Sequence, residues 1–77
     1  MELEQKYQLL DEASVKVSEK LGCKTSYGNS GTLDYILVPV GFEEDAINFL
    51  KANYNMFTFT EHLDLENGSI VIRVEEV

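Results

Sequence analysis

Cysteine is nearly absent from this chain. Cys23 stands alone, so no internal disulfide can close and no cluster of thiolate metal ligands can form. Its expected role is that of a small apolar residue, buried or half-buried, at the start of a strand. Tryptophan is missing and proline occurs once, at Pro39. Basic residues are scarce, 6 against 14 acids, for a net charge of −8. That balance excludes the basic footprint with which proteins grip a phosphate backbone, so no direct nucleic-acid binding is expected. It equally disfavours an anionic membrane surface. No apolar run approaches the roughly 20 residues that cross a bilayer. Met1-Glu2-Leu3-Glu4-Gln5-Lys6 carries neither the basic nor the apolar region of a signal peptide. The expected setting is cytoplasmic.

What is present suits one small α+β domain over residues 1–77. A hydrophobic share of 44% with 26% charged residues favours a packed core over disorder. The length is close to that at which a single core just suffices. The strongest local signal is Asn67-Gly68, the pair preferred in a two-residue type I′ hairpin turn. Centred there, Leu65 faces Ile70, Leu63 faces Ile72 and Glu61 faces Val74 on an apolar side. Asp64 opposite Val71, His62 opposite Arg73 and Thr60 opposite Glu75 form a mostly polar side. Glu61 is the exception on the apolar side. An inward charge discourages edge-to-edge pairing, and a local bulge would turn it outward.

Earlier in the chain, residues 2–21 read as an amphipathic helix. Leu3, Tyr7, Leu10, Ala13, Val17 and Leu21 recur at steps of three and four, and Gly22 supplies the stop. Its outward arc carries Glu4, Asp11, Glu12 and Glu19, with Val15 among them. A hairpin over residues 23–40 follows, its turn expected at Asn29-Ser30 within Gly28-Asn-Ser-Gly31. That centring pairs Tyr27 with Thr32, Thr25 with Asp34 and Cys23 with Ile36. From Tyr35 to Val40 every residue but Pro39 is strongly apolar, the signature of a central strand ending at the proline. Residues 42–54 read as a second helix, buried through Phe42, Ala46, Phe49 and Leu50, with Ile47 and Tyr54 on its flank. Glu43, Glu44 and Asp45 meet the positive end of its dipole, and Asn53 and Asn55 are expected to end it in the left-handed cap conformation.

The order α-β-β-α-β-β predicts a two-layer sandwich: a four-stranded, antiparallel-rich sheet in the order β1-β2-β4-β3, with both helices on one face. This is the topology that results when the first strand of a ferredoxin-like βαββαβ chain is moved to its end. One sheet face is then left without helices. It is expected to present Lys24, Ser26, Leu33, Tyr35 and Leu37 from the first hairpin, and Thr58, Thr60, His62, Asp64, Val71, Arg73 and Glu75 from the second. Leu33, Tyr35, Leu37 and Val71 make an apolar patch there.

Catalytic chemistry finds no constellation in the chain. His62 lacks a nucleophile and a second metal ligand, and reads as a surface residue beside Arg73. The glycines of Gly28-Asn-Ser-Gly31 match no phosphate-binding loop. Three consecutive helical carboxylates diverge by about 100° each, which dipole compensation explains better than cation binding. The expected function is therefore non-enzymatic and free of cofactors: an acidic module that binds a protein partner with a basic surface. Size and charge are compatible with small phage-type inhibitors of the anti-CRISPR or anti-restriction class, which block a nuclease's nucleic-acid-binding groove. Candidate contact residues are Glu4, Asp11, Glu12, Glu19, Leu33, Tyr35, Leu37, His62, Val71 and Arg73. The alternative is a small-molecule-binding or regulatory domain that acts as a homodimer through the open sheet face.

Overall fold

The computed structural model describes every residue except Glu66 and the side chain of Asp64. Helix α1 (Leu3–Leu21) and strands β1 (Ser26–Ser30) and β2 (Leu33–Pro39) are followed by helix α2 (Glu43–Asn53) and strands β3 (Phe57–Leu65) and β4 (Ser69–Glu76). The sheet is antiparallel throughout, in the order β1-β2-β4-β3. Strands β2 and β4 are central, as the apolar runs of their sequences require. Alternation along β2 is complete: Asp34, Ile36 and Val38 are buried, while Leu33, Tyr35, Leu37 and Pro39 are only partly covered.

Both helices close over the buried side of the sheet. Leu10, Ala13 and Val17 of α1 and Ala46 and Leu50 of α2 meet Ile36, Val38, Ile70, Ile72 and Val74 in one core. Phe57 and Phe59 complete it from β3, packed edge to face with ring centroids 6.2 Å apart. Helix α1 ends as expected, with Gly22 at φ 67 and its N–H donating to the Ser18 carbonyl. Leu3, placed on the buried stripe by its spacing, is 58% exposed, at the end of a stripe whose buried members run from Leu10 to Val17. Helix α2 does not end on a left-handed asparagine. Its cap is Tyr54 at φ −132, and the Asn53 side chain instead donates to the Phe49 carbonyl.

Both hairpin registers differ from those the turn signals favour. In the first, Tyr27 pairs with Ile36, Asn29 with Asp34 and Ser30 with Leu33, so the turn is Gly31-Thr32 and Asn29-Ser30 belong to β1. Gly31, at φ 63, supplies the positive backbone angle, whereas Gly28 has none. A Cβ at Gly28 would lie 2.5 Å from the Tyr35 hydroxyl, so the tyrosine ring lies across the bare backbone of this edge strand. That glycine serves close approach, not a turn. With β1 starting at Ser26, Cys23 falls in the connection after α1, half-buried and not at a strand start.

In the second hairpin Leu65 pairs with Ser69, one residue longer than a two-residue turn allows. Gly68 takes positive φ, at 86, and its N–H donates to the Leu65 carbonyl, so the strands are not joined by the two-residue type I′ turn that Asn67-Gly68 favours. A bulge then follows. Glu61 pairs with Ile72 and Leu63 with Val71, which leaves His62 as the extra residue. The bulge reverses which side the strand's residues face. Leu63 and Leu65 move from the expected core side to the helix-free side, and Thr60, not His62, stands opposite Arg73. The place expected for the Asp64 side chain lies outside the described residues.

Candidate functional site

Two surfaces collect the residues that the sequence singles out. The first is the solvent arc of α1. Glu4, Asp11, Glu12 and Glu19 are all exposed there, as is Val15. Among the described residues three ion pairs form: the Met1 amino group with Glu76, Lys6 with Asp34, and Arg73 with Glu75. None of them engages the four acids of the arc. Glu12 also lies close enough to Tyr54 to matter: burial first, and then this carboxylate, push the Tyr54 hydroxyl pKa up.

The second surface is the helix-free sheet face. Leu33, Tyr35 and Leu37 stand on it half-buried. Leu37, Val71 and Leu63 lie side by side across three strands, and Pro39, Ser69 and Leu65 form the next row. Val71 is only 7% exposed, because its two neighbours cover it, while Leu63 is 52% exposed. Arg73 lies between Tyr35 and Thr60, exposed, with its Nε 3.2 Å from Glu75 Oε1. His62 is exposed on the bulge, away from Arg73. The apolar patch is thus larger than expected by Leu63 and Leu65.

A third group was not anticipated from the chain. Asp34 is 6% exposed on the buried side of β2, and three donors converge on its carboxylate. Tyr27 Oη donates at 2.8 Å and Asn29 Nδ2 at 2.9 Å to Oδ1, while Lys6 Nζ lies 3.0 Å from Oδ2. Burial raises the Asp34 pKa, but the hydrogen bonds from Asn29, Lys6 and Tyr27 outweigh it and hold the carboxyl below its ordinary value. The Tyr27 hydroxyl is pushed up by burial and by its bond to the carboxylate. Lys6 is raised chiefly by its bond to Asp34. The available signal was alternation itself. Asp34 shares parity with Ile36 and Val38, and an acid at a core position needs partners.

Above this network lies a shallow groove of about 480 Å³, lined by Tyr7, Gln8, Asp11, Tyr27 and Asn29. Its base is the Tyr7–Tyr27 pair, with centroids 6.0 Å apart and planes tilted by 44°. Among the described residues no three His, Cys, Asp or Glu side chains gather in a metal-binding group, and no helix is long and apolar enough to cross a membrane. Compared with known proteins, the chain matches no family model, no curated protein and no solved structure.

Proposed function

We propose that this protein is a non-enzymatic binding module whose partner is a protein with a basic surface. The observation that carries the reading is the α1 arc: four exposed carboxylates, Glu4, Asp11, Glu12 and Glu19, with no ion-pair partner among the described residues. Glu4 and Glu19 stand about 22 Å apart along a straight helix, at about 1.5 Å per residue. A row of that length and sign imitates a short stretch of nucleic-acid backbone. The mechanism is electrostatic: complementary charge speeds encounter, and the net charge of −8 repels nucleic acid itself. A nuclease of the restriction or CRISPR type, whose groove is basic by necessity, is the partner class that this reading nominates.

Gel-shift competition is the test. Added to such a nuclease bound to its DNA or guide, the protein is expected to release the nucleic acid at low salt and less so as salt rises. The variant carrying Glu4→Gln, Asp11→Asn, Glu12→Gln and Glu19→Gln should associate about ten- to a hundred-fold more slowly at low salt. An affinity indifferent to both salt and these four substitutions sinks the mimicry.

The sheet face favours a second reading, a homodimer. Its apolar rows are the part of the surface where acids thin out: among its described residues Glu75 is the one acid, and Arg73 pairs with it. Contact there sets few acids against one another, although each copy carries a net charge of −8. Leu63→Lys should weaken such a dimer about ten-fold or more in sedimentation equilibrium, without loss of fold, because Leu63 is 52% exposed. A wild-type chain that stays monomeric at every concentration removes this reading.

A further inference from the structure

The two edges of the sheet are guarded differently. Edge strand β3 carries the bulge at His62 and the exposed Glu61, both devices that spoil pairing with another strand. Edge strand β1, Ser26-Tyr27-Gly28-Asn29-Ser30, has neither a charge, a proline nor a bulge. Its hairpin closes through the two residues Gly31-Thr32, with Ser30 and Leu33 as the flanking pair. A two-residue hairpin hydrogen-bonds that flanking pair, and the ladder then alternates. Ser30, Gly28 and Ser26 therefore spend their backbone groups on β2, while the N–H and C=O groups of Asn29 and Tyr27 point outward from the sheet.

The same two residues place their side chains in the groove beside α1, and that flank is acidic. At about 100° per residue, Glu4 and Asp11 lie within about 20° of each other on α1. Asp11 lines the groove with Tyr7 and Gln8. Lys16 and Lys20 lie about 120° or more around the helix from both acids, while the Lys6 ammonium, 5.8 Å from the Tyr7 centroid, is engaged by the Asp34 carboxylate at 3.0 Å. An aromatic base with a carboxylate rim suits a guanidinium or ammonium group. A second copy of this chain does not fit, since pairing β1 with β1 brings two such acidic flanks together.

We infer that β1 is a docking edge for an extended basic segment of the partner protein. The segment adds as a fifth strand on the outward groups of Tyr27 and Asn29, and an arginine or lysine side chain seats over the Tyr7–Tyr27 pair against Asp11. The inference rests on the reading of a basic partner and locates where that partner is held.

The probe is an eight-residue peptide alternating arginine and threonine, titrated into the ¹⁵N-labelled protein. A second peptide of the same charge, N-methylated at alternate residues, cannot complete the ladder. Binding of the first is expected to shift the amides of Tyr27, Gly28 and Asn29 and to slow hydrogen exchange at Tyr27 and Asn29 about ten-fold or more. The methylated peptide should bind about ten-fold more weakly for want of the strand hydrogen bonds. Asp11→Asn should weaken the first peptide about two- to five-fold at low salt. Equal binding of the two peptides, with shifts running along Glu12 and Glu19, overturns the edge while leaving the basic-partner reading intact. Failure of both peptides and of poly-lysine to bind at low salt overturns both. Slowed exchange at Tyr27 and Asn29 that grows with protein concentration alone assigns the edge to a second copy and overturns the proposal.

Discussion

Truncating Phe59 to alanine is expected to lower the unfolding free energy by about 3–5 kcal/mol. The ring is 1% exposed, among the largest of the fully buried side chains, and stands on an edge strand between Phe57 and the cover of α2. An edge strand has one neighbour through which to relax, so the lost ring leaves a void bounded by a helix and a single strand, β4. A chain of 77 residues has about 4–12 kcal/mol in total at the usual share per residue. Phe59→Ala therefore removes a large part of the margin. Urea unfolding followed by far-ultraviolet circular dichroism reads it directly. Leu63→Ala, two turns of the pleat further along the same strand, is the comparison. With its side chain half in solvent, it should cost less than about 1 kcal/mol. Equal losses from the two would mean that β3 does not divide its faces at the bulge as described.

Replacing Asp34 with alanine is the second large effect, about 2–4 kcal/mol. The loss is not mainly that of one ion pair. It strands the Tyr27 hydroxyl, the Asn29 amide and the Lys6 ammonium, each of which donates to or pairs with this carboxylate. Asp34→Asn keeps an acceptor oxygen and should cost less. The pH dependence separates charge from shape. The folded pKa of Asp34 is held below its ordinary value, so its contribution is present above the unfolded carboxyl pKa of about 3.9 and is lost as pH falls through the folded value. Lys6 and Tyr27 are both raised. Their contributions are present below their unfolded pKa values and are lost as pH rises through the folded ones. Stability measured against pH should therefore lose its acid limb partly in Asp34→Asn, and a variant whose acid limb is unchanged would show that the carboxylate carries no net linkage.

Much of the fold was legible because it rests on periodicity. The α1 stripe from Tyr7 to Leu21, the apolar run from Tyr35 to Val38 and the alternation of Ile70, Ile72 and Val74 each name a buried face. Together they leave little choice of layer order. The acidic arc was legible for the same reason, since what the stripe buries on one side it exposes on the other. The hairpin registers were not. Gly28 and Gly68 look alike as letters, but Gly28 makes room for the Tyr35 ring while Gly68 turns the chain. No local rule separates those uses, because the first depends on a residue seven positions away in sequence that lies opposite only after pairing. The β3 bulge belongs to the same class. Glu61 signalled it weakly, as a charge on an apolar face, and the consequence for Leu63 and Leu65 follows only once the extra residue is located.

The sequence by itself determined the architecture, the charge and the acidic face of α1, since each depends on the period of side chains along a single element. Tertiary structure alone decided the rest. It brought Lys6, Tyr27 and Asn29 onto the Asp34 carboxylate, moved Leu63 and Leu65 to the open face, and left the backbone of Tyr27 and Asn29 facing outward beside Asp11. The physical reason is that register sets these features. Register is a property of two strands at once, and a shift of one residue exchanges the faces of an entire strand.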